Sequence, residues 1–225
     1  RRRCCNESEG GGGMSDEKPH LGGTPGNLEV AMDDFDRRII LTKNQRLMLL
    51  WLVWKVPVNC AMHMPMPDLV NAFPKRSGKI LEDLQALQDY GFIKRSPPYY
   101  RPEVILPYRL GWVDSLNDRY PARTLYLSKN NKGTPGNLEI AMEKIFGGSD
   151  LTKTQKLLLL WQAWRVPTNV QGVFTFFGAS PKLRRKALVN LEALSAAGMV
   201  ELVTSALPAE LSVILPESLG WRVSS

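Results

Sequence analysis

Residues 41–59 read LTKNQRLMLLWLVWKVPVN, and residues 151–169 read LTKTQKLLLLWQAWRVPTN. Twelve of the nineteen positions are identical, at a constant offset of 110. Each copy begins with Thr-x-x-Gln, in which the Thr hydroxyl can accept a bond from a backbone N–H of the first turn and the Gln can reach back to the cap. Pro57 and Pro167 end both helices, because proline cannot continue a helix. The pattern predicts two equivalent helices, and therefore two copies of one domain.

Leucine and tryptophan residues recur at helical spacing within each copy, which places them on one face of the predicted helix. We interpret both Trp pairs as core residues on this basis. All six Trp residues of the chain fall at matched positions of the two repeats, and both repeats close with Leu-Gly-Trp. The apolar faces are formed by Leu47, Leu50, Trp51 and Trp54 in the first copy and by Leu157, Leu160, Trp161 and Trp164 in the second.

The composition agrees with two small domains. The chain has 225 residues with 44% hydrophobic content, enough for two small cores in domains of about 100 residues each. Residues 1–22 carry four basic and four acidic residues and a run of four Gly, which predicts a disordered tail. We therefore divide the chain into the tail 1–22, a first domain 23–112, a linker 113–132 and a second domain 133–225.

Net charge and cysteine content indicate the type of binding partner and the cellular compartment to expect. The net charge of +7 favours an anionic partner. Three Cys residues do not make a paired disulfide framework, so we expect a reducing, cytoplasmic setting. No apolar run reaches the roughly 18 residues of a membrane span, and we expect no membrane association.

Further elements follow the same order in both repeats. GTPGNLEVAMDDF (23–35) and GTPGNLEIAMEKI (133–145) predict a lead helix that begins at Thr-Pro. After the first core helix come a short extended piece and a short helix over 67–73. A further helix then has Ile80, Leu81, Leu84 and Leu87 at its apolar spacing and ends at Gly91. FIKRS and EVILP predict a strand, a loop and a strand. The expected fold class is α+β and mostly α.

The stretch LVNAFPKRSGKILEDLQALQDYGFIKR (69–95) resembles the turn, third helix and first wing strand of the winged helix-turn-helix family, in its bacterial repressor form. The resemblance covers roughly 26–112 and 136–225. It implies two tandem winged-helix domains with short two-stranded wings. The second repeat departs from it at VQGVFTFFGAS (170–180), which makes a poor second helix because it contains three Phe and two Gly.

The resemblance also implies which residues meet double-stranded DNA. In this family the third helix usually enters the major groove, while the wing touches the backbone or minor groove. Asn190 is a further candidate, which could read adenine. Matched by position, the third-helix candidates are Lys75, Arg76, Ser77 and Lys79 in the first repeat and Lys182, Arg184, Arg185 and Lys186 in the second, and the wing candidates are Lys94, Arg95 and Arg101.

Electrostatics at the helix start favours the second cluster. Cations at a helix N-terminus oppose the macrodipole, at a typical cost of about 0.3–1 kcal/mol for each suitably placed charge. The residues four positions after Arg184, Arg185 and Lys186 are uncharged, so no carboxylate offsets them. In the first repeat Lys79 has Asp83 at that spacing. A cluster that its own helix disfavours suggests a phosphate partner, and we expect both repeats to contact DNA.

No pattern in the chain indicates catalysis, a metal or a cofactor. His63 has no second His or Cys at ligand spacing, and we interpret it as an ordinary surface or core residue. The favoured function is thus a sequence-specific DNA binder, such as a transcription regulator or a plasmid or phage replication initiator. An architectural protein-interaction subunit, as in chromosome partition, is the alternative, and a strand-nicking enzyme has the least support. A second copy of the chain or another protein would be a further partner.

Overall fold

The computed structural model describes residues 28–32, 41–56, 62–63, 66–96, 103–105, 134, 136–175, 181–203 and 210–223. Over these residues the protein is mostly α-helical, with two small antiparallel sheets. This confirms the α+β, mostly α class. None of the helices in these ranges is long and apolar enough to cross a membrane. The predicted tail 1–22 and linker 113–132 lie outside the described residues.

The first repeat begins with helical residues 28–32, which fall within the predicted lead helix. Its further elements follow in the predicted order. They are α1 (Lys43–Lys55), β1 (Met62–His63), α2 (Met66–Ala72), a 3-10 helix (Pro74–Lys79), α3 (Ile80–Asp89), β2 (Lys94–Ser96) and β3 (Glu103–Ile105).

The second repeat follows most of this order, with a strand and no described helix between its core helix and its last helix. Its elements are α4 (Asn137–Phe146), α5 (Lys153–Arg165), β4 (Gly172–Thr175), α6 (Pro181–Ala196), β5 (Glu201–Val203), β6 (Glu210–Ile214) and a 3-10 helix (Glu217–Leu219).

Both core helices have the capping box that the sequence predicts. The hydroxyl of Thr42 accepts from the backbone N–H of Gln45, and the Gln45 side chain accepts from the N–H of Thr42 at 2.9 Å. Thr152 and Gln155 form the same pair of bonds. Each helix ends one residue before the valine that precedes proline, and that valine is extended because a following proline disfavours helical backbone.

The two sheets have the same topology. Their strand orders are β1-β3-β2 and β4-β6-β5, with antiparallel pairing throughout. Among the described strands, none pairs with a strand of the other repeat. The two strands predicted after the last helix are confirmed, but each sheet has a third strand, supplied in the first repeat by the short extended piece after α1.

The described part of the segment 170–180 forms a strand that takes the place of β1 in the second sheet. β4 covers Gly172–Thr175, and residues 176–180 lie outside the described part. A Cβ atom at Gly172 would stand 2.6 Å from the Val166 side chain, so glycine allows the strand to pass close to the end of α5. The predicted departure from a second helix falls on residues outside the described part.

The two repeats share one hydrophobic core, and the expectation of two separate cores is wrong. α1 packs on both α5 and α4. The Trp54 ring stacks on Phe146 at 6.3 Å between centroids, and Phe73 meets Phe146 edge-on at 5.6 Å. The physical reason lies in α1, whose residues from Leu47 to Val53 are all buried. A helix that is apolar on every side needs neighbours on every side, and the second repeat supplies some of them.

The tryptophans divide differently from the prediction. Trp51 and Trp164 are buried and Trp54 is partly buried, but Trp161 is 37% exposed. The next residue, Gln162, is fully buried instead. The neighbours of α5 are α1, α4 and α6, and they cover the side of the helix that carries Gln162 rather than the side that carries Trp161.

Residues of the GTPGN motif in the second repeat connect three segments through hydrogen bonds. α4 begins at Asn137, two residues later than Thr-Pro predicts, and its cap is Gly136 with φ of 85°. The Asn137 amide donates to the Thr168 hydroxyl at 2.9 Å and accepts from the backbone N–H of Arg222 at 2.9 Å. The Thr134 hydroxyl accepts from the N–H of Thr168 at 3.1 Å. The motif thus joins the start of α4 to the segments that follow α5 and the second sheet.

Candidate nucleic-acid interface

Helix α6 carries the most concentrated positive charge of the described helices. It runs unbroken from Pro181 for 16 residues, and proline suits the first turn because its missing N–H is not needed there. Four basic residues occupy its first six positions, and no acidic residue lies in its first turn. Glu192 is its one carboxylate, so the net charge of the helix is +3.

The exposed cations of α6 lie on one face. Lys182, Arg185, Lys186 and Val189 follow at intervals of three and four residues, which brings them onto one side of a helix. Together with Pro181 and Asn190 they line an open groove of about 560 Å³. We call these six residues the α6 face.

The cations of the α6 face have no partners within the described residues. The side chains of Lys182, Arg185 and Lys186 are exposed and make no ion pair or hydrogen bond there. Asn190 differs, because its amide donates to the carbonyl of Lys186 at 2.7 Å and is partly buried. The three cations are therefore available to an anion. The Asn190 side chain would first have to break its hydrogen bond to the Lys186 carbonyl.

The equivalent helix start in the first repeat is built differently. Residues 74–89 contain three basic and three acidic residues, so their net charge is zero over the same length as α6. Their first six residues form a 3-10 helix, and α3 begins only at Ile80. Ser77 and Gly78 stand where α6 has Arg184 and Arg185, and glycine costs a helix about 1 kcal/mol relative to the best helix formers.

Arg76 is bound within the protein. Its guanidinium meets the Asp83 carboxylate through Nη2–Oδ2 at 2.8 Å and Nε–Oδ2 at 3.1 Å. The Asp83 side chain is 4% exposed and that of Arg76 is 23% exposed. The expectation that Asp83 offsets Lys79 is wrong, because the Asp83 carboxylate forms its ion pair with Arg76 of the 3-10 helix. Lys79 is exposed and has no partner among the described residues.

The predicted wing residues of the first repeat are partly held as well. Arg95 lies on β2, where its Nη1 is 3.3 Å from the Gln85 side-chain oxygen and its backbone N–H donates to Gln88 at 3.0 Å. Lys94 is partly buried on the same strand. Arg101 lies outside the described residues. The equivalent positions on β5 are Glu201 and Leu202, so the second wing strand adds no cation.

The structure therefore brings together only some of the predicted residues. Lys182, Arg185, Lys186 and Asn190 share one face, while Arg76 and Arg95 are engaged in contacts with α3. For Lys75, Ser77 and Arg184 the structure describes the backbone alone. Sequence reasoning missed Val189 as part of the same groove, although its spacing of seven residues from Lys182 gives the signal.

The described groups with a shifted pKa, Glu29 and Lys55, do not lie on α6. Burial lowers the pKa of Lys55 at the end of α1, and the negative charges of Glu143 and Asp68 oppose that shift. Burial raises the pKa of Glu29. Within the described ranges no group of three His, Cys, Asp or Glu side chains is placed to hold a metal ion.

Comparison of the chain with protein-family models, with curated proteins and with solved structures finds no match.

Proposed function

We propose that the chain is a DNA-binding protein with two winged helix-turn-helix repeats around one shared core, and that the α6 face is its principal contact with double-stranded DNA. The observation that carries this proposal is the row of exposed cations on α6 without partners among the described residues. A transcription regulator or a replication initiator is the role that we favour.

The free protein gains little stability from this row of cations. Each cation near the start of α6 opposes the helix dipole, and within the described residues no carboxylate offsets the charge of Lys182, Arg185 or Lys186. DNA phosphates would reverse that balance, since every phosphate neutralised also releases condensed counterions. A helix also fits the major groove, where arginine and lysine side chains can read guanine.

The arrangement of elements supports the same proposal. In the first repeat the order is helix, strand, helix, helix and two strands, with the strand after the core helix completing a three-stranded antiparallel sheet. This is the order of a winged helix, in which the last helix before the two wing strands is the one that meets DNA. In the second repeat that position belongs to α6.

The salt dependence of DNA binding tests the proposal. Removing one phosphate interaction should lower the slope of log affinity against log salt by about 0.9. We therefore expect the triple change Arg184→Ala, Arg185→Ala and Lys186→Ala to flatten the slope by roughly two to three units. Thermal stability should stay unchanged or rise slightly, because the variant lacks three cations that the helix dipole destabilises. An unchanged slope in a folded protein would contradict the proposal.

A protein-interaction function is the second candidate, and two residues on α6 favour it. Leu183 is 60% exposed and Val189 is 54% exposed, both beside the cations. Exposed aliphatic side chains next to positive charge would suit an acidic protein partner. In that case the triple-alanine protein would show no change in DNA binding, and Leu183→Ser with Val189→Ser would weaken binding of the protein partner instead.

A further inference from the structure

A separate cavity of about 490 Å³ lies where the two repeats meet. Residues from the starts of α1 and α5, from the end of α2 and from the turn after α4 line it. Its volume falls within the range of about 300–1,000 Å³ that is typical of small-molecule sites. We call it the inter-repeat cavity. It requires both repeats, because neither supplies all of its walls.

The walls of the inter-repeat cavity include a strongly apolar part. Leu47 and Phe73 are buried residues of the shared core, and Phe146 packs edge-on against Phe73 at 5.6 Å between ring centroids. Ala72 and Leu151 extend the same apolar surface. Aromatic rings pack favourably on such surfaces in edge-on or offset geometry, so the cavity suits a flat ring system.

Three lysines line the same cavity and two of them are positioned by hydrogen bonds. The ammonium of Lys43 donates to the Thr154 hydroxyl at 2.8 Å, across the junction between the repeats. Lys156 donates to the carbonyl of Ile145 at 3.2 Å. Lys153 is exposed, and its side chain makes no hydrogen bond or ion pair within the described residues. Its positive charge can therefore meet an anion.

The charge balance of the cavity is positive. Among the described residues that line it, Asp150 is the one carboxylate, against the three lysines, and Arg76 is already paired with Asp83. The first turns of α1 and α5 contain no acidic residue, so no side chain within those turns offsets the partial positive charge of the helix ends.

We propose that the inter-repeat cavity binds a small aromatic anion, a carboxylate or sulfonate on a flat ring system. The ring would lie against Phe73, Phe146 and Leu47, and the anionic group would meet Lys153 and the neighbouring lysines. This site is independent of the α6 face, which is formed by α6 alone.

Fluorescence titration with 1-anilinonaphthalene-8-sulfonate, an anion of this class, tests the proposal on the full chain. We expect saturable binding of one probe for each chain in the folded protein. Lys153→Glu should weaken binding at least about fivefold, because an attraction becomes a repulsion. Lys186→Glu is the matched control, since it makes the same charge change on the α6 face and should leave probe binding unchanged.

A second variant tests the cavity without altering a charge. Asn44 lines the cavity near the start of α1, and Asn44→Trp should fill part of it and reduce binding of the probe. Circular dichroism identifies any variant that fails to fold, and Lys153→Glu then carries the test, since Lys153 is exposed.

Three results would overturn the proposal. They are the absence of saturable binding, an equal loss in Lys153→Glu and Lys186→Glu, and equal affinity for the uncharged probe N-phenyl-1-naphthylamine. DNA binding by the Lys153→Glu protein is measured separately. If it keeps its salt dependence, a failure of the cavity proposal leaves the DNA-binding proposal standing.

Discussion

Arg76 and Asp83 form a two-pronged ion pair that joins the 3-10 helix of the first repeat to α3. One guanidinium nitrogen, Nη2, lies 2.8 Å from Oδ2 and 3.0 Å from Oδ1 of the carboxylate. At the equivalent positions of the second repeat stand Leu183 and Asn190. The first repeat thus pairs one of its three basic residues internally, while the second leaves Lys182, Arg185 and Lys186 exposed.

Removing one partner of this pair should destabilise the protein. We expect Asp83→Ala to lower the free energy of unfolding by roughly 2–3 kcal/mol, because Arg76 is then left partly buried without its counter-charge. The double change Arg76→Leu and Asp83→Asn installs the residues of the second repeat, and it should recover most of that loss. Urea denaturation measures both. A double variant as unstable as Asp83→Ala would show that the pair itself is required.

The difference between the two helix starts should also appear in DNA binding. Lys75 and Lys79 occupy the positions of Lys182 and Lys186, so two double-alanine variants make the same change in the two repeats. We expect Lys182→Ala with Lys186→Ala to reduce the salt slope by about 1.8, the value for two phosphate interactions. The Lys75 and Lys79 variant should reduce it less, because the first repeat has a net charge of zero in this region. Equal reductions would show that both repeats contact DNA to the same extent.

Gln162 is a buried polar side chain whose oxygen and nitrogen have no hydrogen-bond partner among the described residues. Leu52 is its fully buried equivalent in α1. We expect Gln162→Leu to raise the free energy of unfolding by about 1–2 kcal/mol, because an unpaired amide no longer has to be desolvated. The reverse change, Leu52→Gln, should cost roughly 2–4 kcal/mol. A loss of stability in Gln162→Leu would mean that the amide has a partner in solution.

The partly buried position of Glu29 should make stability depend on pH. Its pKa is raised above 4.5, so the folded protein binds this proton more tightly than the unfolded chain does. Stability from this group is therefore present below pH 4.5 and declines as pH rises through the higher folded pKa. Glu29→Gln should be more stable than the native protein at about pH 7 and should lack this decline.

Glu139 provides the matched control for that measurement. It occupies the equivalent position of the second repeat and lies 3.9 Å from the guanidinium of Arg222. Because Glu139→Gln removes this ion pair, we expect it to bring no gain in stability at about pH 7. Denaturation curves over a range of pH compare the two variants, and an equal gain in both would contradict burial as the cause.

The local elements follow from short-range interactions along the chain. Thr42 and Thr152 mark the helix starts, because their capping bonds reach only three residues along the chain. Pro57 and Pro167 mark the ends through their effect on the residue before them. The spacing of Leu84 and Leu87, with Gly91 after them, likewise located α3, and the cations of α6 were visible because no carboxylate follows them at short range.

Which surfaces meet depends on the packing of segments that are distant in the sequence. The burial of Gln162 instead of Trp161 depends on where α1, α4 and α6 lie around α5, and periodicity carries no information on that placement. The pairing of Asp83 with Arg76 rather than Lys79 requires the 3-10 backbone, which the sequence pattern did not predict. The shared core and the inter-repeat cavity arise for the same physical reason: they are made by contacts between residues about a hundred positions apart, beyond the reach of local bonding and helical spacing.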